Sequence, residues 1–408
     1  METSRARPAQ VETEVIDLTR AEFWMGDPYP TLAALRASQP VLWHDASPHP
    51  FWALTRYDDI VSVSKAPETF CSGQGIGIQE ATVEEMDVQS LVTTDDPRHK
   101  WLRALVSKGF TPPRIRELES HIRELTSSIL DRVSGRDEVD FVEDIAGVLP
   151  VYVIGEMLGV PREDQHLIKE WSDALTEGQE GGAAITAAGV EAFRSMMEYL
   201  SRMQDLRREA PTDDLVSLLM TAEVDGERLD ENAQQGFFLL LEFAGNETTR
   251  NTIAGGLLAL HEHPDQWTAL RDDPSLVPSA AEEMLRFVSP VTHFRRTVTR
   301  DAEIAGQPVS AGDWVVMFYP AGNRDPEVFP DPDRFDITRR PNPHIALGGG
   351  GPHFCLGASL GRLEMRVMYE ELLRRFPDVT LDGPITRTRS NFIRGIKTMP
   401  VVLGADRG

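Results

Sequence analysis

Cysteine is scarce in this chain. Only two of the 408 residues are cysteines, Cys71 and Cys355. Two cysteines form at most one disulfide, which excludes a disulfide framework for a chain of this length. Such usage is typical of a reducing compartment, and the N-terminal residues lack the apolar core of a secretory signal. We therefore expect a cytoplasmic protein, with Cys71 as a small apolar packing residue.

The chain also lacks a long apolar run that is free of charge. Its longest apolar stretch, GFFLLLEFAGNETTRNTIAGGLLAL, contains Glu242, Glu247 and Arg250. Charged side chains are costly in the hydrocarbon core of a bilayer, so a span with three of them is disfavoured. The stretch is predicted to be a buried helix, and no membrane insertion is expected.

Positive charge is in short supply. The 41 lysines and arginines are outnumbered by 65 acidic residues, which gives a formal net charge of −24. Such a surface repels phosphate backbones, so nucleic acid is not expected as a partner. No glycine fingerprint for a flavin or nicotinamide follows a strand, and no cysteine cluster for iron–sulfur is present.

Helical periodicity is what the sequence has in abundance. It extends from Pro97 to about Leu270 and returns from Leu356 to about Arg375. Short alternating runs, typical of strands, occupy residues 40–63 and the region after residue 290. The predicted fold class is therefore mainly α with a minor β part. The polar segment 1–20 is predicted to be loosely ordered.

The sequence LGGGGPHFCLG, residues 347–357, places a cysteine between four glycines and a helical pattern. Glycine permits positive φ and close backbone approach, and successive backbone N–H groups form an anion-binding nest. The helix that follows directs its positive end toward the sulfur. Both effects lower the pKa of a thiol and favour a thiolate.

Several roles for Cys355 are compatible with these residues. The plainest is a buried cysteine in a glycine-rich turn. A nucleophile with His353 as its base is another, whereas a phosphate loop lacks the Lys-Ser/Thr pair that should follow the glycines. The last is a thiolate ligand of a haem iron.

The stretch GGGPHFCLG resembles the haem-binding loop of the cytochrome P450 family. The resemblance implies haem b as cofactor, Cys355 as its iron ligand, and His353 as a contact of a propionate. Gly357 would let the helix lie against the porphyrin. Leu347 and Gly348 stand at the front of the loop, where the family usually has a Phe; one branch carries such an extra glycine.

The segment EFAGNETTRN lies within the long apolar stretch. A helix over residues 236–260 spans roughly 37 Å, and a threonine can donate to the i−4 carbonyl and open such a helix. The plain interpretation of Glu247 is a solvated charge. The resemblance implies instead that Glu247 and Thr248 relay protons to dioxygen, the acid near the surface and the hydroxyl near the iron. Ala244 and Gly245 would contact the haem.

The segment EEMLRFVSP supplies Glu283 and Arg286, which share a helical face at i, i+3. In isolation this spacing favours a surface ion pair. The pair matches the family's ExxR motif, and Arg334 in FPDPDRF matches its third member. The resemblance implies that these three residues brace the cysteine loop.

Haem carries two propionates, which need cationic donors when partly buried. The family places such donors at positions that match His99, Arg103, Arg296 and His353. Solvation is the alternative for any one of them, and Arg295 is a competitor for the position of Arg296. Val291 is expected to contact both haem and substrate.

The family's substrate segments are mostly apolar here, which suits a hydrophobic substrate held by shape. The residues expected to line this pocket are Ile76, Ile78, Leu240, Phe243, Val291, Thr292, His293, Phe392 and Ile393. Electrons are expected from a ferredoxin and its reductase, docked on a basic face formed by Lys100, Arg103, Arg362 and Arg366.

The resemblance covers most of the chain and implies a single cytochrome P450 domain over residues 21–408, a triangular helical body with small sheets around a buried haem. The implied reaction is insertion of one oxygen atom from dioxygen into a C–H bond.

Three segments, AGNETTRN, NPNPH and GIKTMPV, resemble the actinobacterial branch that oxidises methyl-branched lipids, isoprenoids and sterol side chains, typically at a terminal carbon. Tailoring of polyketides or terpenoids, a peroxide-driven relative, and a haem-binding sensor or carrier without turnover are the alternatives.

Overall fold

The computed structural model describes residues 16–45, 49–78, 90–178, 187–224 and 226–408. The α-helices in these ranges are α1 (Ala21–Met25), α2 (Tyr29–Ser38), α3 (Tyr57–Ser64), α4 (Arg98–Ser107), α5 (Pro112–Glu117), α6 (Glu119–Val133), α7 (Val148–Leu158), α8 (Gln165–Gly178), α9 (Ala187–Glu209), α10 (Leu215–Thr221), α11 (Glu231–Glu262), α12 (Pro264–Asp272), α13 (Val277–Val288), α14 (Tyr319–Gly322) and α15 (Ala358–Arg375). A π-helical segment, Val142–Ala146, precedes α7. None of the described helices is long and apolar enough to cross a membrane.

Helix α11 passes through the helical body and packs against α7, α13 and α15. Asp230 caps it by accepting a hydrogen bond from the Ala233 N–H at 2.8 Å, and Glu231 complements the positive helix end. Its 32 residues span roughly 48 Å. The predicted helix over residues 236–260 is confirmed and is longer than predicted, because the cap lies six residues earlier.

The strands are short and lie mainly in the first and last thirds of the chain. They are β1 (Val41–His44), β2 (Phe51–Leu54), β3 (Phe70–Cys71), β4 (Val139–Asp140), β5 (Glu223–Val224), β6 (Glu227–Arg228), β7 (His293–Val298), β8 (Ala302–Ile304), β9 (Gln307–Val309), β10 (Trp314–Phe318), β11 (Thr380–Leu381), β12 (Thr386–Arg387), β13 (Ile396–Thr398) and β14 (Pro400–Val402). The predicted fold class, mainly α with a minor β part, is confirmed.

The largest sheet has the order β1-β2-β10-β7-β3, with only the β2–β10 pair parallel. Residues of β2 alternate between two separate cores, Phe51 and Ala53 on one face, Trp52 and Leu54 on the other. All four are buried, as expected for a strand covered on both sides. Cys71, in β3 at the edge of this sheet, is buried and unpaired with another cysteine.

The N-terminal prediction needs a correction. The segment 1–20 was expected to be loosely ordered, and its residues 1–15 lie outside the described residues. Over residues 16–20 the expectation is wrong, because Leu18 is fully buried. Its N–H donates to His44 Nε2 at 2.9 Å, and its carbonyl accepts from Trp24 Nε1 at 2.9 Å.

Candidate active site

The glycine-rich loop adopts a conformation that requires glycine. Gly348, Gly350 and Gly351 have φ values of +99°, +86° and +77°. A Cβ on Gly351 would lie 2.3 Å from the backbone carbonyl oxygen of Ser64, at the end of α3. The loop therefore sits directly on α3, and the close approach predicted from the sequence is confirmed. The Cys355 N–H donates to the Leu347 carbonyl at 3.0 Å, which closes the loop.

The thiol of Cys355 opens onto a cavity between α11, α15 and the loop. The cavity encloses about 1600 Å³ of space free of protein atoms, including its opening to solvent. All the residues predicted to contact a cofactor line it: His99, Arg103, Ala244, Gly245, Val291, Arg296, Leu347, Gly348, His353, Cys355 and Gly357.

The protein alone does not favour a thiolate at Cys355. Burial raises the pKa of the thiol, while a hydrogen bond from the Gly357 backbone and the charges of Arg103 and Arg362 act in the opposite direction. The sequence predicted a lowered pKa from the nest and the helix start. That prediction is wrong for the protein without metal, because loss of solvent destabilises the thiolate more than these groups stabilise it.

Helix α11 presents one stripe to the cavity. Leu240, Ala244, Thr248 and Thr252 line it, four residues apart and therefore on one helical face. The Thr248 hydroxyl donates to the Ala244 carbonyl at 2.8 Å, the i−4 bond that its position predicts. The helix remains continuous through this turn.

Glu247 lies on a different face of α11 and does not line the cavity. It is buried, and Arg250 Nη2 donates to Glu247 Oε2 at 2.8 Å. Burial raises the pKa of Glu247, and the charge of Arg250 opposes this. The expectation of an acid near the surface is therefore wrong. Asp173 of α8, whose side chain is 32 % exposed and lies 3.2 Å from Arg250 Nη1, is the acid nearer to solvent.

Two further buried acids were not singled out as site residues by the sequence analysis. Burial raises the pKa of Glu242 on α11 to about 8; the Glu247 charge adds to this and the Ser172 hydroxyl opposes it. Glu364 on α15 lines the cavity, and burial raises its pKa to about 8 against a hydrogen bond from Thr249. Both side chains are protonated near neutral pH. A pattern of charge and periodicity does not distinguish them from solvated acids.

The histidines at one end of the cavity are buried and neutral. His99 is 1 % exposed. Within the described part of the chain neither ring nitrogen has a hydrogen-bond partner, and Asp96 Oδ1 lies 3.6 Å from Nδ1. Its ring lies 4.2 Å from that of His353. Burial, together with the charges of Arg296, His99 and Arg103, lowers the pKa of His353 to about 3. Ser72, which the sequence analysis missed, holds His353 Nε2 at 3.2 Å.

Of the two adjacent arginines, Arg295 and Arg296, only Arg296 faces the cavity. Arg296 lines the cavity, is buried, and donates to the Arg295 carbonyl at 2.8 Å. Arg295 turns away, with its guanidinium 3.6 Å from the centre of the Trp314 ring and Nε donating to the Gly75 carbonyl at 3.2 Å. A buried guanidinium that donates to a carbonyl instead of a carboxylate favours an anionic ligand.

These features fit haem b. Cys355 is the one cysteine of the lining. The lining also has a buried arginine that donates to a carbonyl, and a buried histidine whose ring nitrogens have no hydrogen-bond partner among the described residues; these two side chains would bind two carboxylates. A Cβ on Gly357 would meet no atom within 4 Å, so this part of the wall leaves space for a flat ring.

The Glu283–Arg286 pair is fully buried. Arg286 Nη2 and Nε donate to the two carboxylate oxygens at 2.7 and 2.8 Å. Arg286 also donates to the Asn323 carbonyl at 2.8 Å, and Asn323 Oδ1 accepts from the Ile345 N–H at 2.8 Å. Because Ile345 in turn accepts from the Gly348 N–H at 3.0 Å, the pair is connected to the start of the glycine loop.

The third member of this group differs from the prediction. Arg334 is exposed and contributes its backbone carbonyl, which accepts from Arg286 Nη2 at 3.1 Å. The guanidinium that reaches Glu283 belongs to Arg339, with Nε 3.2 Å from Oε2. The assignment of the Arg334 side chain is therefore wrong, because the turn at Asp331–Asp336 directs it to solvent.

The predicted substrate contacts divide into two groups. Ile76, Leu240 and Val291 line the cavity. The others do not: Ile78, Phe243, Thr292, His293, Phe392 and Ile393. Thr292 donates to the Phe392 carbonyl at 3.1 Å, and the His293 ring packs against Phe318 and Phe392. The apolar lining residues that the sequence analysis missed include Leu91, Val92, Phe110, Ile154, Leu241 and Phe294.

The predicted basic face is largely neutralised. Lys100 pairs with Asp96 at 2.8 Å, Arg362 with Glu282 at 2.6 Å, and Arg366 with Glu119 at 2.6 Å. Arg103 donates to the carbonyl of Phe354 at 2.7 Å, and the Phe354 side chain is itself exposed. The described residues therefore do not present these four cations as an unpaired patch.

Comparison with known proteins gives consistent results. The family model described as Cytochrome P450 matches residues 182–390. The methyl-branched lipid omega-hydroxylase of Mycobacterium tuberculosis is 40% identical over 97% of this chain and 96% of its own. A steroid C26-monooxygenase of Mycolicibacterium smegmatis is 39% identical over 90% of each. The structure of Mycobacterium marinum cytochrome P450 CYP268A2 with pseudoionone has a TM-score of 0.90 at 38% identity, covering 98% of this chain and 100% of that one.

Proposed function

The chain belongs to the cytochrome P450 family of haem-thiolate monooxygenases, and from that premise we propose that it hydroxylates a terminal carbon of an apolar, methyl-branched chain. The proposed substrates are methyl-branched lipids, isoprenoids and sterol side chains. The observation that carries the proposal is full-length similarity to relatives named for oxidation at chain ends, a lipid omega-hydroxylase and a steroid C26-monooxygenase.

The lining of the cavity supports an apolar substrate. Leu91, Val92, Phe110, Ile154 and Phe294 add hydrophobic surface to the part contributed by α11. His99, His353, Arg103 and Arg296 lie close together in the part of the lining assigned to the propionates, and Arg362 is the remaining arginine of the lining. A substrate would therefore be held by shape and apolar contact, with few polar anchors.

The cofactor would be held by residues at three parts of the wall. We assign Cys355 as the iron ligand and His99, Arg103 and Arg296 as donors to the propionates, with the neutral His353 beside them. When bound, haem supplies the metal chemistry that activates dioxygen. The protein contributes a loop that fixes the sulfur, a cationic edge, and an apolar wall that keeps water away from the substrate.

Thr248 is the proposed proton donor at the cavity. Its hydroxyl faces the cavity and is held by the Ala244 carbonyl. The adjacent Glu247 carboxylate is buried among Arg250 and Asn251, with Asp173 beyond Arg250 nearer to solvent. We propose that protons pass inward along these groups, and that the Glu247 side chain changes rotamer to reach the hydroxyl of Thr248.

Electrons must come from a partner protein, for which we propose a ferredoxin with its reductase. The exposed Phe354, next to Cys355, and the neighbouring Arg103 form the surface nearest to the sulfur. Since the cations there are mostly paired, we expect docking to depend more on shape than on long-range attraction.

A substrate panel tests the proposal. Purified holoenzyme is titrated with a methyl-branched fatty acid, a straight-chain acid of equal length, a sterol, a terpenoid and a polyketide, and haem spectral shifts are recorded. Products are then identified with ferredoxin, reductase and NADPH. We expect terminal hydroxylation of a branched chain and a weaker response to the straight chain.

The controls separate the alternatives. Cys355→Ala should lose the thiolate-type spectrum of the reduced carbon monoxide complex. Turnover of the polyketide alone would indicate a tailoring hydroxylase instead. Product formed with peroxide and never with ferredoxin would indicate a peroxide-driven enzyme. Binding without any product would indicate a sensor or carrier.

A further inference from the structure

A second charged group lies beside the cysteine, apart from the propionate end. Arg362, on α15, lines the cavity seven residues after Cys355. Its Nε and Nη2 donate to the two oxygens of Glu282 at 2.6 and 2.9 Å, a bidentate pair. His344 Nε2 lies 3.1 Å from Glu282 Oε2 and is almost completely buried. Glu282 itself does not line the cavity.

Both members of the pair are charged. Hydrogen bonds from His344 and Arg362 outweigh burial and hold the pKa of Glu282 at about 2. Arg362 Nη1 lies 3.5 Å from the carbonyl of Ala358, the first residue of α15 and three residues after Cys355, so the guanidinium lies at the end of α15 that is nearest to the sulfur. The positive charge of Arg362 therefore lies on the side of the sulfur, and the negative charge of Glu282 that compensates it lies behind Arg362, outside the cavity.

We propose that Glu282 is a positioning residue that clamps Arg362 beside the Cys355 sulfur, and that the pair sets the reduction potential of the bound haem. This role is distinct from the neighbouring Glu283, whose carboxylate belongs to the brace with Arg286 and Arg339. The inference rests on the assignment of Cys355 as iron ligand in the proposed function and on no particular substrate.

The sign of the effect provides the test. Reduction adds a negative charge at the haem, so an uncompensated cation nearby favours the reduced form. In substrate-free holoenzyme, Glu282→Gln leaves Arg362 uncompensated and should shift the potential to more positive values. Arg362→Gln leaves Glu282 uncompensated and should shift it to more negative values. The double variant, with both charges removed, should return close to the unmodified protein.

A matched pair on the same helix serves as control. Arg366, one turn beyond Arg362, pairs with Glu119 at 2.6 Å and does not line the cavity. Glu119→Gln should leave the potential unchanged. Spectroelectrochemical titration measures all four variants, and the reduced carbon monoxide spectrum verifies that the thiolate ligand is retained in each.

The proposal would be overturned if the reduction potentials of Glu282→Gln and Arg362→Gln shift in the same direction, because looser packing or added water would affect both variants in the same way. It would also be overturned if neither potential shifts by more than that of Glu119→Gln. If Glu282→Gln does not incorporate haem, the predicted negative shift of Arg362→Gln decides alone. A thiolate-type carbon monoxide spectrum that survives Cys355→Ala would instead reject the ligand assignment, and failure of the substrate panel would leave this inference intact.

Discussion

The Thr248 hydroxyl is held by a carbonyl of its own helix and faces the cavity. We expect Thr248→Ala to lower product formed per NADPH consumed by roughly tenfold or more, with peroxide as the main product, because a positioned proton donor contributes about 10²–10⁴-fold. Thr248→Ser, which keeps the hydroxyl, should retain most of the coupling. Equal coupling in all three proteins would remove Thr248 from the mechanism.

Glu242 makes the stability of the fold depend on pH. Its pKa is about 8 in the fold, against the ordinary value of 4.5, so the folded state binds more protons between these values. The protonated carboxyl makes its full contribution to the free energy of unfolding below pH 4.5, and this contribution is progressively lost as the pH rises to about 8.

Glu242→Gln should therefore be more stable than the unmodified protein at pH 8, by on the order of a few kcal/mol, with the difference vanishing near pH 4.5. Urea unfolding at several pH values measures it. Thr221→Val, at an exposed helix end, is a control that should shift stability equally at every pH. A parallel pH dependence of Glu242→Gln and the unmodified protein would contradict the prediction.

At the scale of the elements, close packing of α11 against α13 and α15 depends on a missing side chain. A Cβ on Gly256 would lie 2.6 Å from Tyr369 Oη and 2.7 Å from Met284 Sδ. Gly256→Ala should destabilise the protein by about 1–3 kcal/mol, the usual cost of overpacking. The control is Gly155→Ala in α7, where the nearest atom is 3.5 Å away. It should be neutral or stabilising by up to about 1 kcal/mol, as measured by urea unfolding.

Elements with strong local signals were predictable. The periodicity of α11 and the positive φ angles of Gly348, Gly350 and Gly351 are local properties, and the structure has both. Local sequence patterns do not show how deeply a charged side chain is buried. In the sequence Glu247 and Glu242 look like solvated acids, but α7 packs against α11 and residues of α8 contact Asn246 and Arg250, so both acids are buried.

At the scale of the whole molecule, the Glu283 group joins α13 to the segment that follows Asn323. Arg339→Gln removes one buried partner of Glu283 and should cost about 3 kcal/mol, at the low end for a broken buried pair because Arg286 remains. Arg334→Gln, at an exposed position, should change stability by no more than about 0.5 kcal/mol. Thermal unfolding of both variants measures the difference, and equal losses would restore Arg334 to the group.

The cofactor contacts that belong to sequence motifs were correctly predicted to line the cavity, and the substrate contacts outside the motifs were predicted less well. The predicted cofactor contacts line one cavity because the loop, α4, α11 and the segment at β7 carry them. Thr292 and Phe392 do not line it, because their positions depend on how the segment between β12 and β13 pairs with the residues just before β7. Such pairing is a long-range property with no signature in a short segment.

The seat of the glycine loop on α3 has a mechanical consequence. Helix α3 shares its core with the large sheet, whereas α11 belongs to the helical core. The glycine loop touches both bodies of packed side chains, because Leu347 and Leu356 pack against the helical core while Gly351 lies on the end of α3. A substitution that changes the position of α3 would therefore also move the loop that holds the sulfur, although α3 belongs to the core of the sheet.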